Sequence, residues 1–132
     1  MSAFVIGLAA GFVCSFMVFK VKSIFGYDDS LDAFGVHGAG GTLGALLTGV
    51  FAASIINPVF GKGNPTGGVD GHWAQLGNQV AGVAIAWGLS IVGTLVLLFV
   101  VDKLIGLRLT PEHELAGLDV SQHGEEGYDF NS

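Results

Sequence analysis

The chain has 132 residues, of which 51% are hydrophobic and only 12% are charged, and its formal net charge is −6. Soluble domains carry about 25% charged residues, so this composition excludes an ordinary soluble domain. Most of the acidic residues lie near the C-terminus, and no stretch has the clustered lysines and arginines that bind nucleic acid.

Three stretches contain no Asp, Glu, Lys or Arg: residues 1–19, 33–61 and 71–101. A helix needs about 20 apolar residues to cross a hydrocarbon core of about 30 Å, and so short a chain cannot bury three such helices in a soluble core. The sequence therefore predicts an all-α, polytopic membrane protein with three transmembrane helices, at about residues 2–21, 31–56 and 73–101. We assign residues 1–103 to the transmembrane region and residues 104–132 to a cytoplasmic C-terminal tail.

The basic residues near the span ends predict the orientation. Lys20, Lys22, Lys103 and Arg108 fall on one side of the predicted membrane, and Lys62 falls on the other. Loops rich in lysine and arginine stay in the cytoplasm. We therefore predict a multi-pass protein of the cell membrane with an extracytoplasmic N-terminus and a cytoplasmic C-terminus.

The second predicted span is unusually rich in glycine, with residues Gly35, Gly38, Gly40, Gly41, Gly44 and Gly49. Small residues in a membrane helix let neighbouring helix backbones approach closely. This composition predicts a helix with several neighbours. Two other spans supply too few of them, so we expect further helices from other segments or other chains.

His37 is an ionisable residue about two turns into the second span, and such a residue is a functional hypothesis by default. Packing alone would explain a single histidine equally well, but the surrounding glycines leave room for something small beside the ring. Imidazole can accept and donate protons near neutral pH. On an α-helix Ala33, His37, Gly41 and Gly44 share a face. This narrow, small and nearly apolar face is typical of a thin conduit.

Asp29 and Asp32 lie at the expected cytoplasmic entrance of this helix. We interpret Ser30 as the N-cap and place Asp32 in the first turn, where a carboxylate complements the helix dipole. The two aspartates either serve only this capping role or also attract a cation to the mouth. Residues 28–32 also fit a DDxxD pattern that binds metal pyrophosphate, but no second metal-binding motif accompanies it. We therefore expect that the protein binds no metal or cofactor and is not an enzyme.

The rest of the chain contains local signals for a loop, an interfacial anchor and a short helix. Pro58 and Pro65 interrupt the loop between the second and third spans. Trp73 lies where an interfacial aromatic anchor would, whereas packing is the expected role of the deeper Trp87. In the tail, Thr110 followed by proline predicts an N-cap, and hence a short helix over residues 111–116 that the next glycine ends.

Residues 28–52, DDSLDAFGVHGAGGTLGALLTGVFA, closely resemble the penultimate core helix of the ammonium transporter/Rhesus family. Residues 106–128, GLRLTPEHELAGLDVSQHGEEGY, resemble the cytoplasmic tail of the same transporters. The resemblance implies an eleven-helix fold, a homotrimer with one pore per subunit, and transport of ammonium or ammonia. This chain would then be a fragment comprising the last three helices and the tail.

The resemblance also implies roles for single residues. His37 matches the second of two pore histidines, Ala33 a pore-lining position and Asp29 an acidic residue before the pore histidine. The tail of the family couples neighbouring pores and lies close to where PII-type signal proteins dock. The matching tail residues are Gly106, Arg108, Gly117, Leu118, Asp119, His123 and Gly124.

Two other functions stay open at this point. The chain could be a regulatory or assembly module that associates with a complete transporter or with a PII-type signal protein. It could also be a membrane enzyme that uses His37 and the aspartates with a metal, although no spacing of the other histidines matches a zinc site.

Overall fold

A computed structural model of the chain describes residues 1–57, 59 and 62–127. Pro58 and the last five residues of the predicted tail, 128–132, lie outside the described residues. Within the described part the chain is helical and contains no strand. We label four helices: α1, Ser2–Phe25; α2, Phe34–Phe51; α3, Ala74–Leu104; and α4, Pro111–Ala116.

Helices α1, α2 and α3 are the three in the described residues that are long and apolar enough to cross a membrane. The predicted class, an all-α polytopic membrane protein, is confirmed. The helix ends differ by up to five residues from those expected from the sequence.

Helix α1 continues about four residues past the expected end. It is α-helical over Ser2–Phe16, π-helical over Met17–Val21 and α-helical again over Lys22–Phe25. Gly26 then adopts a left-handed conformation with φ 60°, and its N–H donates a hydrogen bond of 2.8 Å to the Lys22 carbonyl. Glycine takes this conformation without steric cost, so it ends the helix.

Helix α2 is shorter than the expected 31–56. Its first part, Phe34–Ala39, is π-helical and its second part, Gly40–Phe51, is α-helical. Asp32 has a φ of 55° and stands outside the helix. At the other end Ala52 is extended, with ψ 112°, so the chain leaves the helix five residues before the expected end.

Two glycines of α2 allow it to pack directly on α1. A Cβ at Gly35 would lie 2.9 Å from Val18 Cγ2, and one at Gly40 would lie 2.8 Å from Cys14 Sγ. The Cys14 thiol also points to the Val36 carbonyl at 3.7 Å. A side chain at either glycine would force the contacting side chain of α1 to move, as expected for small residues at a membrane helix contact.

The loop between α2 and α3 folds back on the end of α2. The Asp70 carboxylate accepts hydrogen bonds of 2.9 Å from both the Ser54 N–H and the Ser54 hydroxyl. These bonds favour the charged carboxylate, so the pKa of Asp70 lies below its ordinary value. Thr66 is buried, and its hydroxyl lies 2.7 Å from Nδ1 of His72. Side-chain hydrogen bonds therefore order this loop.

The chain divides into two compact units, Met1–Gly88 and Leu89–Ser132, and the division falls within α3. In the second unit the predicted tail helix is confirmed. The hydroxyl of Thr110 accepts from the His113 N–H at 3.4 Å, and Gly117, with φ 92°, ends the helix. Arg108 and Glu114 form an ion pair of 3.4 Å at this helix.

Candidate functional site

His37 lies inside the π-helical turn at the start of α2, Phe34–Ala39. Such turns are rare in proteins, and those inserted in α-helices are frequent at functional sites. The neighbouring Gly35 is buried against α1, whereas His37 itself is exposed. The only ionisable residue of this helix therefore lies at an irregular turn and on an accessible side.

The glycines of α2 separate a packed side from an open side. Gly35 and Gly40 meet α1, as described above, but a Cβ at Gly41 or Gly44 would meet no atom within 4 Å. The three residues expected to line a conduit, Ala33, His37 and Gly41, are all exposed in the described structure. Each is thus accessible, and no bulky side chain of the described residues fills the space beside Gly41.

Asp29 caps the N-terminus of α2. Its Oδ1 accepts from the Ala33 N–H and its Oδ2 accepts from the Phe34 N–H, both at 2.9 Å. The prediction that Ser30 is the N-cap is wrong, because one aspartate satisfies two of the unpaired N–H groups with a charged acceptor. A carboxylate also complements the positive end of the helix dipole.

Asp32 pairs with α1 rather than lying in the first turn of α2. Lys22 Nζ donates to Asp32 Oδ1 at 2.6 Å and to the Asp29 carbonyl at 2.5 Å. Lys22 thereby links the end of α1 by hydrogen bonds to the residues that precede α2. Among the described residues no group of three or more His, Cys, Asp and Glu side chains could hold a metal ion. In the structure Asp29 therefore caps α2 and Asp32 pairs with Lys22.

An aromatic cluster adjoins the His37 turn. Phe34 packs edge-on against Tyr27 and against Trp87, each with ring centroids 5.8 Å apart. The Trp87 indole N–H donates to the Thr42 hydroxyl at 2.9 Å, and that hydroxyl donates to the Gly38 carbonyl at 2.8 Å. Sequence reasoning missed this cluster, since nothing in the local pattern links residue 42 to a tryptophan 45 positions later.

The predicted tail residues lie around two turns of the second unit. Gly117 ends α4, and a π-helical turn, Asp119–His123, follows directly. Leu118 precedes this turn, and Gly124 ends it with φ 66°. Gly117 and Gly124 therefore both have a positive φ where the chain changes direction, which residues with a Cβ adopt only with strain.

The loop before α3 contains an open cavity of ≈ 410 Å³. It is lined by Gly63, Asn64, Pro65, Thr66, His72, Ala74, Gln75 and Asn78. None of these residues belongs to the open side of α2, so the cavity is separate from the His37 turn.

Three helices that are long and apolar enough to cross a membrane are the features of a multi-pass membrane protein. Comparison with protein families makes the assignment specific. The model described as "Ammonium Transporter Family" matches residues 1–128, so the chain belongs to that family.

Curated relatives agree with the family assignment. The chain is similar to the "Ammonium transporter" of Bacillus subtilis, with 39% identity over 127 residues, which is 96% of this chain and 30% of the relative. It is 38% identical over 133 residues to "Ammonium transporter MEP2" of Saccharomyces cerevisiae, covering 97% of this chain and 26% of that protein. With the "Ammonium transporter" of Aquifex aeolicus it shares 43% identity over 125 residues, covering 95% and 28%. The chain thus spans less than a third of the length of these relatives, which are named as transporters and not as enzymes.

Proposed function

We propose that this chain forms one wall of a pathway for ammonium or ammonia across the membrane, with the α2 helix supplying the second pore histidine, His37. The observation that carries the proposal is the division of α2 into two sides. Gly35 and Gly40 pack against α1. Ala33, His37 and Gly41 are exposed.

The chemistry of that open side suits the separation of a proton from ammonium. A bare cation in a dry apolar pore costs far more free energy than neutral ammonia. A neutral imidazole can accept a proton or hydrogen-bond to the solute without adding a permanent charge. Ala33 and Gly41, one turn to either side along the helix, leave space and offer no competing polar group.

The aspartates serve the entrance of this wall. Asp29 holds the first turn of α2 through its two hydrogen bonds, so it fixes the helix from which His37 projects. Asp32 forms an ion pair with Lys22 at 2.6 Å. We therefore assign Asp29 and Asp32 first to positioning the helix, and second to the negative field that draws a cation to the mouth.

The remaining wall must come from outside these helices. Large apolar side chains along α3 are exposed, including those of Ile85, Leu89, Leu95 and Phe99. Their exposure supports contact with lipid and with further helices. We propose that residues 1–103 are the last three membrane helices of an eleven-helix transporter that forms a homotrimer, with the N-terminus of this chain outside the cytoplasm.

We further propose that residues 104–132 form a cytoplasmic regulatory tail that contacts the trimer or a PII-type signal protein. Its ordered turns support this role, because the residues Arg108, Gly117, Leu118, Asp119, His123 and Gly124 lie around α4 and the π-helical turn after it. Removal of residues 106–127 should change the regulation of uptake and leave insertion of α1, α2 and α3 unaltered.

The test uses a chimera in which this whole chain replaces the matching stretch of the Bacillus subtilis ammonium transporter, expressed in cells that lack ammonium transporters. We expect His37→Ala to lower ammonium uptake by about 100-fold, a typical contribution of one proton-transfer group. The matched control is His72→Ala, which alters a histidine of the loop cavity. Uptake and selectivity equal to the unmodified chimera in His37→Ala, at equal membrane amounts, would overturn the proposal.

A further inference from the structure

The hydroxyl of Thr42 stands between α3 and the His37 turn. It donates to the carbonyl of Gly38, the residue next to His37, and it accepts from the Trp87 indole. Both bonds have the usual lengths for their donors, 2.8 Å and 2.9 Å. A hydroxyl that donates and accepts at once polarises both bonds, and apolar surroundings strengthen them.

Trp87 reaches both ends of that turn. Its ring packs edge-on against Phe34, the first residue of the π-helical turn, and its N–H binds Thr42, three residues past the last. The Phe34 ring in turn lies under Gly38, where an added Cβ would be 3.1 Å from Cδ2. The turn that carries His37 is therefore held from α3 by an aromatic contact and a hydrogen bond of a single side chain.

We infer that Thr42 and Trp87 are positioning residues for transport: they fix the His37 turn and thereby set the clearance beside the imidazole. This inference rests on the proposed function. Methylammonium is larger than ammonium, so a turn that shifts should change the ratio of their uptake rates. A merely structural loss would lower the amount of transporter and leave that ratio unchanged.

The chain offers a matched control. Thr48 makes the same kind of bond as Thr42, from its hydroxyl to the carbonyl four residues earlier, at 2.8 Å. In the described structure no tryptophan bond to Thr48 accompanies it. Thr48→Val therefore removes a comparable hydroxyl from the same helix without touching the link to α3.

The uptake ratio is measured in the chimera described above. We expect Thr42→Val and Trp87→Phe each to change the ratio of ammonium to methylammonium uptake by about threefold to tenfold, the range for one lost hydrogen bond. The double variant should match Thr42→Val, because the only bond that Trp87→Phe removes is one that Thr42→Val also removes. Thr42→Ser should restore the ratio, and Thr48→Val should leave it unaltered. An unchanged ratio in Thr42→Val, or additive effects in the double variant, would overturn the inference.

A second measurement covers variants that do not reach the membrane and separates this inference from the proposed function. In the full chain in lipid nanodiscs, Trp73→Phe leaves one indole N–H signal in the nuclear magnetic resonance spectrum, that of Trp87. We expect Thr42→Val to move this signal and Thr48→Val to leave it in place. A fixed signal overturns the link itself, whereas normal uptake in His37→Ala overturns only the proposed function.

Discussion

The contact between Gly40 and Cys14 gives the sharpest prediction about how α1 and α2 pack. An alanine at Gly40 would bring its Cβ to 2.8 Å from the Cys14 sulfur, against an optimal separation of about 3.5–4.0 Å for carbon atoms. Overpacking of this kind costs about 1–3 kcal/mol. At Gly44, where nothing lies within 4 Å, the same change gains up to about 1 kcal/mol of helix propensity.

The free energy of unfolding of Gly40→Ala should therefore be about 1–3 kcal/mol lower than that of Gly44→Ala. Replacing the sulfur removes the clash, so Cys14→Ala should restore most of the loss, with a coupling energy of about 1 kcal/mol or more. The assay is unfolding of the purified chain in mixed micelles, followed by tryptophan fluorescence and circular dichroism. Equal effects at both glycines, together with zero coupling to Cys14, would refute the packing of α2 on α1.

Three further predictions concern charged groups at the helix ends. Asp29→Ala should lower the free energy of unfolding by about 1–2 kcal/mol through loss of its two cap hydrogen bonds, whereas Ser30→Ala should be neutral; the reverse order would restore Ser30 as the cap. Lys22→Met and Asp32→Asn should each destabilise the chain and their double variant no more than either, and additive losses would contradict a shared pair. Hydrogen bonds lower the pKa of Asp70, so the charged carboxylate contributes fully to the free energy of unfolding above about pH 4, and this contribution is lost as the pH falls through the lowered pKa. Asp70→Asn should therefore reduce the loss of stability in acid. A free energy of unfolding with the same pH dependence in Asp70→Asn would argue against this role.

The membrane helices and the tail helix could be predicted because their signals are local. Long stretches without charge are enough to identify α1, α2 and α3. Thr110, the proline after it and Gly117 lie within eight residues of one another and fix both ends of α4. Each of these features acts on its own segment, so a linear pattern shows it.

The ends of α2 and its irregular start could not be predicted, because they depend on distant partners. Lys22 pairs with Asp32 and holds it outside the helix, which leaves Asp29 to cap Phe34. The helical spacing of Ala33 and His37 suggested a shared face, but it could not show that Gly35 and Gly40 would take the opposite, packed side. The link from Thr42 to Trp87 spans 45 positions and has no sequence signature.

An experimental structure of the eleven-helix transporter proposed above would show whether His37 lines a pathway. We expect the imidazole of His37 to border an enclosed, narrow cavity on the Gly41 side of α2, while Gly35 and Gly40 contact α1. A ring that faces acyl chains, or one packed among large side chains with no cavity beside it, would rule out the proposed role of His37.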